Sequence, residues 1–342
     1  MRRSVVVVAV VALVVASAGW WNGRGAHAYA STSSSAVTTT TTTTTTTPVT
    51  ATTVPYVPHP VCVRSSGATN ASGPTLQCHP WRRLDTWYRA PASILTTSFA
   101  PNAAVPSILA YAVWIRSAST DLSLYLGYKG PDPSYPNRGP EMVPPSVRVR
   151  LLATFNSGFY EADGAAGFYV NHTLYHPMVD GLATVVRYTN GKVDVIRWAS
   201  GARPGPTVQM ARQNRPLLVN AGRATPLSSN NALWGLTLGG VAAVWRTALG
   251  IDAKGNLIYV AAPEQTSSSL AAILVQLHVV RAMELDINPE WPIFVTYGGS
   301  GARGASLDVP NPNQVPNRFL YPSTKDFFAV YITHRPGEAQ PW

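Results

Sequence analysis

Residues 244–287 read VWRTALGIDAKGNLIYVAAPEQTSSSLAAILVQLHVVRAMELDI, and the order of their signals decides the fold class. Val244 to Ile251 and Leu257 to Ala262 are apolar runs on either side of Asp252-Ala253-Lys254-Gly255-Asn256, a turn-rich cluster, so they predict a hairpin. Serines at Ser267, Ser268 and Ser269 then open a segment in which Leu270, Ile273, Leu274 and Leu277 recur at i, i+3, i+4 and i+7. That spacing marks one face of a helix, predicted over Ser267 to Val279. A strand from Ala282 to Ile287 follows and carries Glu284 and Asp286 at its end. Two strands, one helix and a strand indicate a sheet-built core.

The flanks repeat the pattern. Val147 to Phe155 is an apolar, β-prone run that breaks at Asn156-Ser157-Gly158. Val185 to Tyr188 and Val193 to Ile196 flank Asn190-Gly191, a strong hairpin signal. Phe327 to Ile332 reads as a closing strand. No repeat of 20–50 residues is visible. The fold class expected is α+β: a single β-rich domain of mixed sheets with few helices.

The N-terminus is of another kind. Arg2 and Arg3 precede Val5 to Trp21, a run of 17 residues without a charge. As a helix it would extend roughly 26 Å, a little short of a ~30 Å hydrocarbon core. It suits a signal peptide or an anchor, with small-residue cleavage patterns at Ala16-Ser17-Ala18, Ala26-His27-Ala28 and Ala28-Tyr29-Ala30. Ten threonines at Thr38 to Thr47, and prolines at 48, 55, 58 and 60, follow. Such a stretch lacks the apolar surface that offsets ordering entropy. The organisation expected is a signal peptide or membrane anchor at 1–30, a disordered Thr/Ser/Pro linker at 31–60 that does not pack on the domain, an N-terminal lobe at 61–107 and the main domain at 108–342. The location expected is extracytoplasmic, either secreted or held at the membrane by that first segment.

Cys62 and Cys78 are the only two cysteines. In an oxidising compartment a pair this close favours a disulfide, the alternative being two buried thiols; two cysteines are too few for a structural zinc site. The net charge of +10 favours anionic partners such as phosphorylated glycans, wall polymers or lipid headgroups, or serves solubility alone. No nucleic-acid partner is expected, given the compartment and the lack of a recognisable binding motif.

Phosphate-binding loops, the HExxH pattern and the GxSxG elbow are absent. The seven histidines do not pair at metal-ligand spacing, and His172 and His176 read as surface or structural residues. No cofactor is expected, and a divalent cation is left open. Acidic residues are scarce, so Glu284 and Asp286 stand out. Two apart on a strand, they share a face, where a carboxylate pair invites acid/base chemistry; the alternative is an edge charge or a loop cap. Arg246, inside an apolar strand, needs an anionic partner, either an internal carboxylate or a phosphate.

Asn156, Gly158, Phe159 and Tyr160, then Arg246, Thr247, Ala248 and Gly250, then Leu285 and Asp286 form an ordered series. That series resembles the phosphodiester glycosidase family over roughly residues 108–334. The resemblance implies hydrolysis of a sugar-1-phosphodiester, with release of the sugar. Residue chemistry then assigns Asp286 as the catalytic carboxylate, with Glu284 as the second candidate. Arg246 would hold phosphate, and Asn156, Gly158 and Thr247 would contact substrate. The family follows its Leu-Asp with glycines and a serine; here Ile287-Asn288-Pro289-Glu290-Trp291 follows, and glycines return only at Gly298-Gly299-Ser300-Gly301. Two rival classes stand beside a hydrolase: a catalytically inactive glycan- or wall-binding domain on a stalk, and a structural envelope protein.

Overall fold

The computed structural model describes residues 56–64, 76–85, 92–235 and 240–333. The expected N-terminal signal or anchor, and most of the Thr-rich segment, lie outside them. Among the described residues, no helix is long and apolar enough to cross a membrane.

The domain is β-rich, with one α-helix among the described residues and several short 3-10 turns. Six strands and the helix position the site: β1 (Leu151–Asn156), β2 (Val244–Asp252), β3 (Leu257–Gln265), α1 (Ser267–Gln276), β4 (Val279–Glu284), β5 (Phe294–Gly299) and β6 (Phe327–Ile332). An eight-stranded sheet runs in the order Arg223–Ala224, Leu217–Asn220, β4, β2, β3, Ala110–Ile115, Ile94–Phe99, Arg82–Arg83. Its last two strands come from the segment expected to form a separate N-terminal lobe. A five-stranded sheet runs Arg303–Leu307, β5, β1, β6, Thr120–Tyr125. The third has the order Val193–Arg197, Ala183–Tyr188, Val208–Gln213, Phe168–Val170, Thr173–His176. Every ladder among the described residues is antiparallel, which narrows the expectation of mixed sheets.

The central sheet is buried on both faces, which explains why its strands read as continuous apolar runs. On β3, Leu257, Tyr259 and Ala261 face a core shared with Phe155 of β1 and Val185 of the third sheet. Ile258, Val260 and Ala262 face the other way, against Leu270, Ile273, Leu274 and Leu277 of the helix. The predicted helical stripe is thus the buried one.

Three boundaries differ from expectation. The run beginning at Val147 opens as a 3-10 turn, Pro145–Arg150, and the strand starts only at Leu151; Pro145 fixes a helix-compatible φ at its first position. The helix starts as predicted, with Thr266 and Ser269 forming a capping box, but stops at Gln276. His278 turns the chain at a φ of 58°, and β-branched Val279 and Val280 then enter β4 three residues earlier than predicted. The third difference concerns the end of the linker. Tyr56 to Pro60 are not clear of the domain: Arg116 donates to the Tyr56 carbonyl at 2.8 Å and Trp81 to the His59 carbonyl at 2.9 Å. Tyr56 also lies 6.2 Å from the Trp114 ring.

Cys62 and Cys78 sit opposite each other in the hairpin Val61–Arg64/Leu76–His79 and are disulfide-bonded. Val61 and Val63 on its other face join the helix-side core.

Candidate active site

The ends of two sheets meet at one buried network. Asn156 closes β1, Thr247 lies in β2, and Asp286 sits two residues past the end of β4. The backbone ladder between β2 and the β4 exit continues through this point: Leu285 N–H donates to the Thr247 carbonyl at 2.7 Å and Thr247 N–H to the Asp286 carbonyl at 2.8 Å. The Thr247 hydroxyl accepts from Asp286 N–H at 2.8 Å and from the Asn156 amide at 2.9 Å, and donates to the Asp286 carbonyl at 3.0 Å. Its hydrogen-bonding capacity is full.

Asn156 is saturated as well. Its amide donates to Thr247 and to the Ser157 carbonyl, and its oxygen accepts from the Tyr259 hydroxyl at 2.8 Å and Ile293 N–H at 3.3 Å. Buried and fully bonded, it locks the two sheets together and has no group left to orient substrate. Gly158 has a comparable role: a Cβ there would come within 3.1 Å of Asn214. The Asn214 amide meanwhile holds the Glu284 and Leu285 carbonyls at 2.8 and 2.7 Å. The glycine admits the clamp that fixes the approach to Asp286.

Arg246 departs furthest from expectation. It is fully buried, and all five of its N–H groups are used: Nε on the Gln265 carbonyl, Nη1 on the Trp234 carbonyl and Glu284, Nη2 on Asn231 and the Ala242 carbonyl. Glu284 Oε1 accepts from Arg246 at 2.5 Å. No donor remains for a phosphate; the internal carboxylate is the partner. Complete burial raises the Glu284 carboxyl to about 8, opposed by Arg246, and its Oε2 has no protein partner. Glu284 therefore faces the core with Arg246, and the expected sharing of one face with Asp286 does not bring the two carboxylates to one opening.

Asp286 is the residue that reaches a cleft. An open cavity of ≈ 1210 Å³ is lined by Asp286 and Lys325 together with Phe159, Tyr160, Trp245 and Trp291. Asp286 Oδ1 accepts from Asn288 N–H at 2.9 Å, and Oδ2 is ion-paired to Lys325. Both residues are nearly inaccessible, at 1% and 3%. Burial raises the Asp286 carboxyl, and Lys325 and two backbone N–H groups oppose that rise. The Lys325 ammonium also lies 4.7 Å from the Tyr160 ring centroid and 5.1 Å from that of Trp291, two cation–π contacts that hold it between aromatic faces. Arg215 completes one wall, its guanidinium 5.4 Å from the Phe159 ring, with Nε lacking a protein partner.

The segment Ile287–Trp291 forms part of this wall. The later glycines do not fold back into it: Gly298 to Gly301 lie at the β5 hairpin with Arg303–Leu307. Lys325 carries no motif in the sequence; its position just before an apolar strand was the available signal. His172 is exposed and His176 half-buried, and among the described residues no three His, Cys, Asp or Glu side chains gather as a metal site.

Residues 150–286 match the phosphodiester glycosidase family. No curated protein matches the sequence. Among solved structures, the chain is similar to the catalytic domain of zebrafish N-acetylglucosamine-1-phosphodiester alpha-N-acetylglucosaminidase, auto-inhibited by its pro-peptide. The identity is 15%, over 78% of this chain and 90% of that one, with a TM-score of 0.46. A Synechocystis protein is similar at 14% identity, over 72% of this chain and 64% of that one, with a TM-score of 0.37. A Burkholderia pseudomallei protein is similar at 14% identity, over 76% and 77%, with a TM-score of 0.38. From the start of β1 to Asp286, the chain resembles the phosphodiester glycosidase family.

Proposed function

We propose that this chain is an exported hydrolase that cleaves a sugar-1-phosphodiester of surface or extracellular glycans at the cleft beside Asp286. The observation that carries the reading is the buried Asp286–Lys325 ion pair at the floor of an aromatic-walled cleft. A carboxylate and an ammonium are the two charges this reaction needs, and Tyr160 and Trp291 offer faces on which a sugar ring can stack. The Cys62–Cys78 disulfide fits an oxidising compartment, and the charged-then-apolar N-terminus fits export.

In this mechanism Asp286 acts as general base. A water oxygen bonds to the anomeric carbon while its proton passes to Asp286. The bond between that carbon and the phosphate oxygen breaks, its electrons leave on phosphate, and a phosphomonoester and a free sugar result. Lys325 stabilises the developing phosphate charge, drawn from the carboxylate as Asp286 takes the proton. Arg246, Thr247 and Asn156 contact no substrate; they fix the backbone that carries Asp286.

The test is incubation of the purified protein with a panel of sugar-1-phosphodiesters, assaying free sugar and phosphomonoester separately. Release of both in equal amounts supports the reading. Release of an alcohol and a sugar phosphate would place cleavage on the other side of phosphorus and contradict it. A second reading, a glycan-binding domain without catalysis, is favoured by one observation: Glu284 is sealed against Arg246, so the β4 exit supplies a single carboxylate where glycosidases commonly use two. It predicts saturable binding of the same compounds with no product.

A further inference from the structure

At the end of the domain away from the cleft, a groove of ≈ 830 Å³ lies where all three sheets contribute a wall. Lys254, on the turn between β2 and β3, belongs to the eight-stranded sheet. Asp121 and Thr333 stand at strand ends of the five-stranded sheet, and Arg187, Lys192 and Gln209 belong to the third. The course of β6 gives the separation. Phe327 pairs with Asn156 at the site, and Thr333 follows the other end of the strand, roughly 20 Å away at ~3.3 Å per residue.

The groove carries an excess of positive charge. Arg187, Lys192 and Lys254 line it against one carboxylate, Asp121, and Arg187 takes up that carboxylate at 3.3 Å. Arg187 is buried and also donates to Gln209, so it forms a fixed floor. The two lysines are exposed. Among the described residues Lys254 is in no ion pair. Lys192 lies 3.7 Å from Asp194, a carboxylate already ion-paired to Arg281.

Both lysines stand on turns that local chemistry holds in place. Gly191 and Gly255 turn the chain at φ of 85° and 82°, which glycine adopts without a Cβ clash. Asn190 Oδ1 accepts from Lys192 N–H at 3.0 Å, and Asp252 Oδ1 from Lys254 N–H at 2.8 Å. A ligand that binds here orders side chains on a backbone already fixed, which keeps the entropy cost low.

The rest of the lining narrows the anion. Thr189, Asn190 and Thr333 offer hydroxyl and amide groups. None of the exposed large apolar side chains lines the groove, and its one ring is the His172 imidazole. A membrane surface calls for apolar side chains that enter the interface, and single-stranded nucleic acid calls for rings on which bases stack. A charged, hydroxylated chain needs neither. Its anions pair with the ammonium groups, and its hydroxyls bond to the Thr, Asn and Gln side chains directly or through water.

We propose that this groove is a second site, separate from the cleft, that holds an anionic polysaccharide bearing phosphate or carboxylate groups through Lys192 and Lys254. The proposal does not depend on the chemistry of the cleft, which stays open while the groove is filled.

The experiment uses the full chain. Dissociation constants for phosphorylated dextran, polygalacturonate and neutral dextran are measured by biolayer interferometry at ~0.1 M salt, where exposed charges more than ~10 Å apart are largely screened. The parent should bind the two anionic polymers and not the neutral one. Lys192→Glu with Lys254→Glu should weaken that binding at least tenfold, and the milder Lys192→Gln with Lys254→Gln several-fold. Arg223→Glu with Arg303→Glu, at exposed positions outside the groove, changes the net charge equally and should leave binding within about twofold. Loss on both anionic polymers supports recognition of charge alone, and loss on one supports selection of that anion, each within the proposal. Equal losses in the two charge-reversed proteins would reduce the effect to net charge and overturn the groove. No loss in either, or a parent that binds neither anionic polymer, would overturn it too. Binding of phosphatidylglycerol vesicles through the same lysines, without binding of the polymers, would overturn the choice of a polysaccharide. Turnover of a small sugar-1-phosphodiester is read alongside and should be the same in the parent and both lysine variants. A fall in those variants would overturn the separation of the two sites, whereas no turnover in any of them would count against the cleft reading alone.

Discussion

Arg246 and Asp286 lie in one network, yet their neighbours give them opposite tasks. Arg246 has spent every donor on the fold and touches no opening. Arg246→Ala should therefore cost about 3–5 kcal/mol in denaturant unfolding, because it strands the Glu284 carboxyl in the core. Unchanged stability would contradict that assignment. Asp286 meets the cleft, and its burial raises its carboxyl above the ordinary 3.8. A base must be ionised, so turnover should fall on acidification at a pH above the usual aspartate value; a limb at or below 3.8 would contradict the burial argument. Asp308 gives a stability counterpart. Burial lifts it to about 6, against the Thr296 hydroxyl bond at 2.7 Å. A raised carboxyl favours the folded state fully below its unfolded value of 3.8 and loses that advantage as pH rises through about 6. Asp308→Asn should thus gain about 1–2 kcal/mol on the parent between pH 4 and pH 7, after discounting for its partial exposure. A difference that stays flat with pH would remove the claim. At this scale the acids were legible, because a carboxylate among apolar residues needs a reason. Which of them opens to solvent was not, because the side-chain partners lie far off in sequence: Arg246 is 38 residues from Glu284, and Lys325 is 39 from Asp286.

The elements follow their local chemistry more closely than the site does. The hairpin of β2 and β3 and the closing strand β6 were visible as apolar runs and the helical stripe as periodicity, and Phe327–Ile332 matches the expected run. Element ends were less legible. Val147 to Arg150 carry strand-forming side chains, but Pro145 and the turn geometry hold them in a 3-10 helix. The end of α1 depended on His278 adopting positive φ, a conformation no periodicity announces. Its start is chemical and testable. Thr266 accepts from Ser269 N–H at 3.1 Å, and Ser269 Oγ accepts in return from Thr266 N–H at 2.9 Å. Thr266→Ala should cost about 1 kcal/mol, read as a shifted denaturation midpoint with unchanged slope. No shift would mean that the sheet beneath, not the cap, fixes the first turn.

At the scale of the molecule, the domain is a doubly covered antiparallel sheet, and the ends of its interior strands meet the end of β1 of a second sheet at the site. The disulfide ties the N-terminal hairpin shut across a separation of 16 residues. By loop-closure entropy its loss should cost roughly 3 kcal/mol. Unfolding of the Cys62→Ala, Cys78→Ala protein reads this, and because the hairpin packs on the helix side, turnover well below the midpoint should be unaffected. The packing of Tyr56 to Pro60 on the domain was not legible, since it is carried by their carbonyls rather than by apolar spacing. The order of the motifs was legible because Asn156, Thr247 and Asp286 are joined in one hydrogen-bonded network where two sheets meet. In the mechanism proposed, Asp286, backed by Lys325, performs the proton transfer at this cleft. That role is tested most directly by the turnover number of Asp286→Asn on a sugar-1-phosphodiester, measured well below its unfolding midpoint with substrate binding followed alongside. Binding should stay within a few-fold of the parent, and turnover should fall by ~10²-fold or more. Turnover equal to the parent's, at equal binding, would contradict it.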